Sequence, residues 1–411
     1  MLTSDEASGL RQQARDFLAG HDPSAMPRLE FLRARFDAGL AWVHYPAGLG
    51  GQGLSRSLQA AVDAEFAAAG APDNNPGRIG IGLGMAAPTI LAFGTEEQKQ
   101  RWLRPLWTGE EVWCQLFSEP GAGSDLAGLA TRAVRVKGES EGGTARRAEG
   151  GGQSWRVSGQ KVWTSIAHAA RWGLLLARTD PDVPKHAGLT YFGLDMTGPG
   201  VEVRPLRQLT GEAEFNEVFL TDARVADTDR IGRIGEGWRV AQATLMNERV
   251  AIGGGALPRE GGMAGLAARA WREHPEARTP GLHDRLIRLW ADAEVARLAG
   301  ARLRQQLAAG QPGPEGSAAK IVFARLNQDL SALGLELAGA DGLRYDDWDL
   351  RRPETLSFFG RGPGYRYLRS RGNSIEGGTS EILRNIIAER VLGLPAEPRA
   401  DTRVPWKDLP R

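Results

Sequence analysis

One carboxylate in this chain falls where a charge is expensive. In the segment EGWRVAQATLMNERVAIGG (236–254), Trp238, Ala241, Leu245 and Ile252 mark one apolar stripe at helical spacing, and Glu248 falls on that stripe. Burying a charged carboxylate on an apolar face is costly, so its pKa is expected to rise, which suits a general base. Its neighbour Arg249 projects about 100° around the helix and is free in direction to serve a cofactor or another domain. A structural Glu–Arg ion pair at a helix seam accounts for the same two residues without any catalysis.

Three further stretches carry groups able to hold a ligand. In CQLFSEPGAGSDLAG (114–128) a strand is expected to end near Phe117 and Ser118, and Gly121, Ala122 and Gly123 let the backbone turn sharply before Ser124 and Asp125. Small residues of this kind let backbone N–H groups approach a flat ligand or a phosphate, although a plain glycine turn explains the composition as well. Trp163 is followed by Thr164 and Ser165; it is either a core tryptophan or the cover over one face of a planar cofactor, with a hydroxyl at the ring edge. Near the C-terminus, Gly377-Gly378 precede Thr379, an N-cap candidate with Ser380, and Glu381 follows in the first turn. Backbone donors ahead of such a helix are open to a ligand oxygen, and simple capping is the alternative.

Other chemistries lack their motifs. Gly80-Ile-Gly82-Leu-Gly84 and Gly232-Arg-Ile-Gly235-Glu-Gly237 do not follow a strand inside a βαβ unit, so they read as helix packing and as a turn before a helix. There is no Walker A run, no H-E-x-x-H and no paired C-x-x-C, and the six histidines form no ligand cluster, so no metal is expected. A formal net charge of +1 offers no long-range field to recruit nucleic acid or an anionic membrane. The lone cysteine, Cys114, excludes an internal disulfide framework. The charged start MLTSDEASGLRQQARDFLAG does not read as a signal peptide, and the uncharged stretch 79–95 is shorter than the roughly 20 apolar residues that span a bilayer. A cytoplasmic protein is the expectation by default.

The elements that must position these groups change type along the chain. With 411 residues, 41% of them hydrophobic and 25% charged, the chain is long enough for two or three units with large cores. Residues 1–111 read as helical: Phe31, Ala34, Ala38 and Ala41, and Leu58, Ala61, Val62 and Phe66, have helical spacing around a glycine-rich break, YPAGLGGQGLS (45–55). Thr95 followed by Glu96 and Glu97 reads as an N-cap. Over 112–228 the period drops to two in the runs 131–137, 173–179, 189–196, 201–209 and 216–220, with 138–153 too polar to pack and expected as a mobile hairpin tip. Over 229–394 the helical period returns, with long helices expected at 236–252, 282–309, 315–338 and 379–392, lengths that fit a four-helix bundle. The remainder, 395–411, reads as an extended tail. The fold class is therefore α+β multidomain: N-terminal helices, a β-barrel-like middle domain and a C-terminal helical bundle.

Taken together, these stretches resemble the acyl-CoA dehydrogenase family over nearly the whole chain. The resemblance rests on YPAGLGGQGLS, FGTEEQKQRWLRPLWTGE (93–110), SEPGAGSD within 114–128, KVWTS, PLRQLTGEAEFNEVF (205–219), NERVAIGG and IEGGTSEILRNIIAERVLG. It implies FAD bound between the middle domain and the C-terminal bundle. Phe117, Ser118, Gly123, Ser124, Trp163, Ser165, Thr379 and Glu381 match the family's flavin positions, and Ser124 and Arg249 fall on its substrate side. It also implies a homodimer or homotetramer, an acyl-CoA substrate and an electron-transfer flavoprotein as acceptor.

The base is assigned by the same likeness. Many members carry it directly before the Gly-Thr of the last motif; here that position is Gly377, and Glu376 is one residue early. The isovaleryl- and long-chain branch places the base on a helix before an arginine, which Glu248-Arg249 matches. Glu248 is therefore the expected base and Glu376 the runner-up. Gly377 is expected to offer its N–H, with the flavin ribityl chain, to the thioester carbonyl. Where the family usually shows an Arg-x-x-Phe-Gly-type motif that reaches FAD across the dimer, this chain has WREHPEARTPGLHDRL (271–286), with Arg278 as a substitute. The same architecture also serves acyl-CoA oxidases, flavin monooxygenases and non-catalytic partner subunits.

Overall fold

A computed structural model describes residues 4–136, 153–253, 259–308, 314, 316–345, 347–355, 360–399 and 401–410; at residues 4, 249–253 and 307–308 only the backbone is described. The chain begins with α1 (Ser4–Gly20), α2 (Arg28–Asp37) and α3 (Gln59–Ala68). The glycine-rich break between α2 and α3 folds onto itself so tightly that a Cβ at Gly51 would lie 2.2 Å from the Tyr45 carbonyl oxygen, so only glycine fits there. The uncharged stretch runs as α4 (Pro76–Ile81), a π-helical turn (Gly82–Ala86) and α5 (Ala87–Phe93), with Ile79, Met85, Ala86, Ala87 and Ile90 buried. Thr95 then caps α6 (Glu96–Thr108) in a capping box with Gln98. The Gln98 amide also donates to the carbonyls of Thr228 and Arg230 at 2.7 and 2.9 Å, which pins the start of α6 to the sheet.

Among the described residues, eight strands form one sheet: β1 (Trp113–Leu116), β2 (Arg132–Val136), β3 (Ser154–Ser165), β4 (Trp172–Arg178), β5 (Leu189–Asp195), β6 (Val201–Pro205), β7 (Phe215–Ala226) and β8 (Arg230–Ile231). Their order is β6-β7-β3-β2-β4-β5-β8, with β1 parallel to β4. β4 and β5 are buried on both faces, which is why GLLLAR and LTYFGL read as apolar runs rather than alternations. Long β3 was not among the expected runs: Gly159 and several polar residues blur its period, and its register against β7 shifts twice, around Gly159 and between Lys161 and Thr164. The expected hairpin tip at 138–153 lies outside the described residues except for Gln153. Beneath the sheet, the rings of Trp102, Trp113 and Trp172 pack with centroids 5.4 to 5.8 Å apart and join α6 to β1 and β4.

The C-terminal helices are α7 (Gly237–Gly253), α8 (Met263–Glu273), α9 (Pro280–Ala308), α10 (Gly316–Leu337), α11 (Pro363–Ser370) and α12 (Ser380–Arg390). The four expected long helices are present with their ends within two residues. α8 and α11, which were not among the expected helices although both are amphipathic, join them. α10 packs against all five others, and Leu330, Leu333 and Leu337 share a core with Met263, Ala267, Leu286 and Leu289. The end of the chain returns to the sheet: Trp406 N–H donates to the Val183 carbonyl at 2.9 Å, and Trp406 Nε1 to that of Gly128 at 3.1 Å. Among the described residues no helix is long and apolar enough to cross a membrane, and no group of three His, Cys, Asp or Glu side chains could hold a metal ion.

Candidate active site

On the sheet side, a buried lysine organises the residues expected to hold a planar ligand. Lys161 is fully buried on β3, and its Nζ donates to the carbonyls of Phe117 and Leu176 and to Glu119 Oε1, each at 2.9 Å. Glu119 also accepts from the backbone N–H of Ala130 and Thr131 at 2.7 and 2.9 Å. Burial pulls the Lys161 ammonium below its usual range, and Glu119 opposes that pull. A pair this buried contributes modestly while intact, and removing one partner costs about 3–5 kcal/mol. It fixes Phe117, whose ring meets Tyr191 edge-on at 5.8 Å, and with the Val162 N–H to Ser118 carbonyl bond of 2.9 Å it locks β1 to β3.

Two residues beyond Lys161, Trp163 leaves the regular pleat. Its φ is +60°, unusual for a non-glycine residue, and its side chain is 58% exposed with one edge against Phe215 at 5.9 Å. Ser165 closes β3 opposite Phe215. Gly121 and Gly123 have open space where a Cβ would stand, and Gly123, Ser124 and Asp125 are exposed. Lys185 Nζ anchors that turn through Asp125 at 2.8 Å and binds Asp401 of the returning tail at 2.5 Å. A bare indole face held by a strained backbone, beside an open glycine shelf, fits a planar cofactor such as FAD.

The opposite wall is the Gly-Gly turn. Gly377 and Gly378 have φ of +64° and +91°, a pair of left-handed residues that side chains would strain. Thr379 caps α12, with Oγ1 accepting from Ile382 N–H at 3.2 Å. α10 cradles the approach to this turn. Lys320 Nζ donates to the Gly378 carbonyl at 2.7 Å, Asn327 to Asn373 Oδ1 at 3.3 Å, and Gln328 to Ser370 O and Ser374 Oγ, both at 3.2 Å. Lys320 is only 1% exposed. Burial lowers its proton affinity, and the charges of Glu376, Glu248 and Glu381 act against that.

Glu248 stands on α7, which packs against α10. One turn before it, the buried Thr244 hydroxyl lies 2.9 Å from Thr89 Oγ1 and 3.1 Å from the Tyr191 hydroxyl, so N-terminal helices, sheet and α7 meet there. Burial pushes the Tyr191 phenol up, and the Glu248 charge adds to the effect. Half-buried Glu248 is thus within electrostatic reach of Tyr191 on the sheet and Lys320 on α10. The Arg249 side chain lies outside the described residues.

Arg369 ties the two walls together. Its guanidinium donates to Glu214 at 2.8 Å and to both carboxylate oxygens of Glu376 at 2.9 and 3.1 Å, and it sits 5.4 Å from the Phe215 ring. Burial disfavours the cation, but Glu376 and Glu214 more than offset it, so its proton is held more tightly than usual. Glu376 Oε1 also accepts from Asn373 at 2.6 Å. A continuous path therefore runs from Trp163 through Phe215, Arg369 and Glu376 to the Gly-Gly turn and Lys320.

Two expected residues stand apart from this path. Arg278 is exposed and donates to the Trp271 and Arg272 carbonyls at 2.9 and 3.0 Å, closing the end of α8. Glu381 is exposed and pairs with Arg384 at 3.3 Å. Sequence reasoning did not single out Lys161, Glu214, Lys320 or Arg369. For Lys320 the signal was present: Ser317, Ala324, Asn327 and Ser331 share its buried stripe, the same pattern that exposed Glu248. A hollow of about 710 Å³ beside Phe93, Gln98, Arg101 and Arg239 lies at the other end of α7.

Comparison with known proteins gives three matches to family descriptions: "Acyl-CoA dehydrogenase, N-terminal domain" over residues 4–110, "middle domain" over 114–223 and "C-terminal domain" over 235–392. "Acyl-CoA dehydrogenase FadE34" of Mycobacterium tuberculosis is 42% identical over 95% of this chain; the match spans about half (49%) of that protein. "Acyl-CoA dehydrogenase IpdE1" of the same organism is 39% identical over 88% of this chain and 86% of its own length. Among solved structures, the "ChsE4-ChsE5 complex from Mycobacterium tuberculosis" superposes with a TM-score of 0.66 at 27% identity, covering 97% of this chain and 100% of that chain. A variant of the "Tcur3481-Tcur3483 steroid ACAD" superposes with a TM-score of 0.69 at 25% identity, covering 96% and 100%.

Proposed function

The chain belongs to the acyl-CoA dehydrogenase family, whose members are FAD-dependent oxidoreductases, and we propose that it desaturates an acyl-CoA thioester between its α and β carbons. FAD, when bound, supplies the acceptor for the β hydride and its two electrons. Phe117, Ser118, Gly123, Ser124, Trp163, Ser165 and Thr379 would hold it, with Glu381 close by and Arg278 reaching a neighbouring subunit. Glu248 takes the α proton. The Gly377 N–H steadies the thioester oxygen as charge builds on it, a contribution of the oxyanion-hole kind. Ser124 and Arg249 would bind the substrate. The product is the trans-2-enoyl thioester, electrons leave to an electron-transfer flavoprotein, and the working unit is a homodimer or homotetramer in the cytoplasm, in a β-oxidation type of pathway.

The observation that carries this reading is the convergence on Lys320. One buried ammonium binds the Gly-Gly turn and feels Glu248 and Glu376 together. Of the two candidate bases, Glu376 is held by Arg369 and Asn373, and the choice of Glu248 rests on the family likeness of Glu248-Arg249.

The test is an anaerobic panel of butyryl-, isovaleryl-, octanoyl-, palmitoyl- and steroid-side-chain acyl-CoA mixed with the yellow protein, reading loss of flavin absorbance. Bleaching by at least one thioester supports the proposal; a panel that leaves the flavin oxidised contradicts it. Rapid recovery of colour in air would instead indicate an oxidase. Protein that stays colourless after FAD addition would indicate a non-catalytic subunit.

A further inference from the structure

A lysine inside a helix–helix seam has to be accounted for. Its long side chain loses rotamer freedom on burial, and its ammonium loses water. Lys320 is 1% exposed, faces α12 and the turn before it, and directs Nζ to one backbone oxygen, that of Gly378, at 2.7 Å. The turn it binds has no side chain by which it could be held, since Gly377 and Gly378 both adopt left-handed φ. Fixation must come from backbone groups at its ends. The entrance is tied by Glu376 N–H to the Gly372 carbonyl at 3.0 Å and by the Glu376 carboxylate to Arg369 and Asn373. The exit is tied by Lys320.

We propose that Lys320 is a positioning residue for the dehydrogenation: by clamping the Gly378 carbonyl it fixes the Gly377–Gly378 turn. This rests on the assignment of Glu248 as base made above. Among the described residues, Lys320 on α10 and Tyr191 on β5 are groups on which the Glu248 charge acts. The packed segments Gly82–Ala86 and Ala87–Phe93 carry no titratable side chain. Arg178 of neighbouring β4 is engaged with the carbonyls of Ala127, Leu129 and Lys185. The charges of Glu376 and Glu381 also act on Lys320. With the ammonium gone, Glu248 loses one favourable positive charge and its proton leaves less readily, so the acid limb of the reaction moves to higher pH.

The experiment compares Lys320→Met and Lys320→Arg with wild type as full-length, FAD-loaded protein. Amide exchange over 376–383 is read by mass spectrometry. Flavin reduction per bound FAD is followed against pH with the panel thioester that bleaches wild type fastest. Lys320→Met is expected to accelerate exchange in 376–383 at least roughly tenfold. It should slow limiting reduction about 10²-fold with little change in the half-saturating concentration, as misplacement of reacting groups does, and raise the acid limb by about one pH unit. Lys320→Arg is expected to restore the exchange protection and most of the rate. Wild-type exchange in the Met variant, or a loss confined to FAD content, overturns the proposal. So does an arginine variant as impaired as methionine. If Lys320→Met does not fold, Lys320→Gln takes its place under the same criteria. Should no panel thioester reduce the wild type, the dehydrogenase reading fails while the exchange comparison still decides whether Lys320 holds the turn.

Discussion

Arg369 and Glu376 face each other fork to fork, with guanidinium nitrogens 2.9 and 3.1 Å from the two carboxylate oxygens. Bidentate pairs of this kind are the strong class of charge-assisted hydrogen bond. The same arginine neutralises Glu214, a carboxylate only 4% exposed whose pKa burial pushes up. Removing the arginine therefore strands a buried carboxylate. Arg369→Met is expected to cost about 3–5 kcal/mol in urea unfolding near neutral pH, and Glu376→Gln clearly less, because Glu214 keeps its partner. Equal costs would show that Glu214 does not depend on Arg369.

Lys161 braces the cofactor side in a similar manner. Lys161→Met leaves Glu119 buried without its cation and frees the Phe117 carbonyl. The variant should lose about 3–5 kcal/mol of stability and purify with less FAD, read as the ratio of absorbance at 450 nm to protein. The double variant Lys161→Met/Glu119→Leu removes both charges and should recover part of the stability. A single variant with full stability and full flavin content would contradict the bracing role.

The N-terminal helices carry an acid-sensitive group. The His44 imidazole is pulled from 6.5 to about 4, first by burial and then by the nearby Arg56, and its Nδ1 has no hydrogen-bond partner. Its folded pKa is the depressed one, so the native state favours the neutral ring. The stabilisation is full above pH 6.5 and is lost as pH falls from about 6.5 to about 4; with the ring partly open to solvent it amounts to about 1–2 kcal/mol. Urea midpoints at pH 7 and pH 4.5 should therefore converge for His44→Gln relative to wild type. An unchanged gap would locate the acid sensitivity elsewhere.

Much of this architecture was readable from periodicity. The long C-terminal helices left a regular spacing of apolar residues, the Thr95 cap left an acidic first turn, and the doubly buried strands β4 and β5 left short apolar runs. β3 did not, because the bulges that twist it and aim Trp163 outward also break its alternation. Glu248 was legible as a charge on an apolar stripe. Lys320 obeyed the same rule within GSAAKIVFARL, yet its partner, the Gly378 carbonyl, lies 58 residues away and carries no side-chain signature. Arg369 and Glu214 are 155 residues apart, so their pairing is a product of the tertiary fold alone. Local pattern can flag a costly residue; only the fold reveals what offsets the cost.

The central claim is that the α proton goes to Glu248, and stopped-flow reduction of bound FAD by the fastest-bleaching acyl-CoA tests it most directly. Glu248→Gln should retain its yellow flavin and reduce it at least about 10³-fold more slowly than wild type, the scale of a lost general base, while Glu376→Gln stays within roughly tenfold. Near-normal reduction in Glu248→Gln, with reduction abolished in Glu376→Gln, would contradict the account.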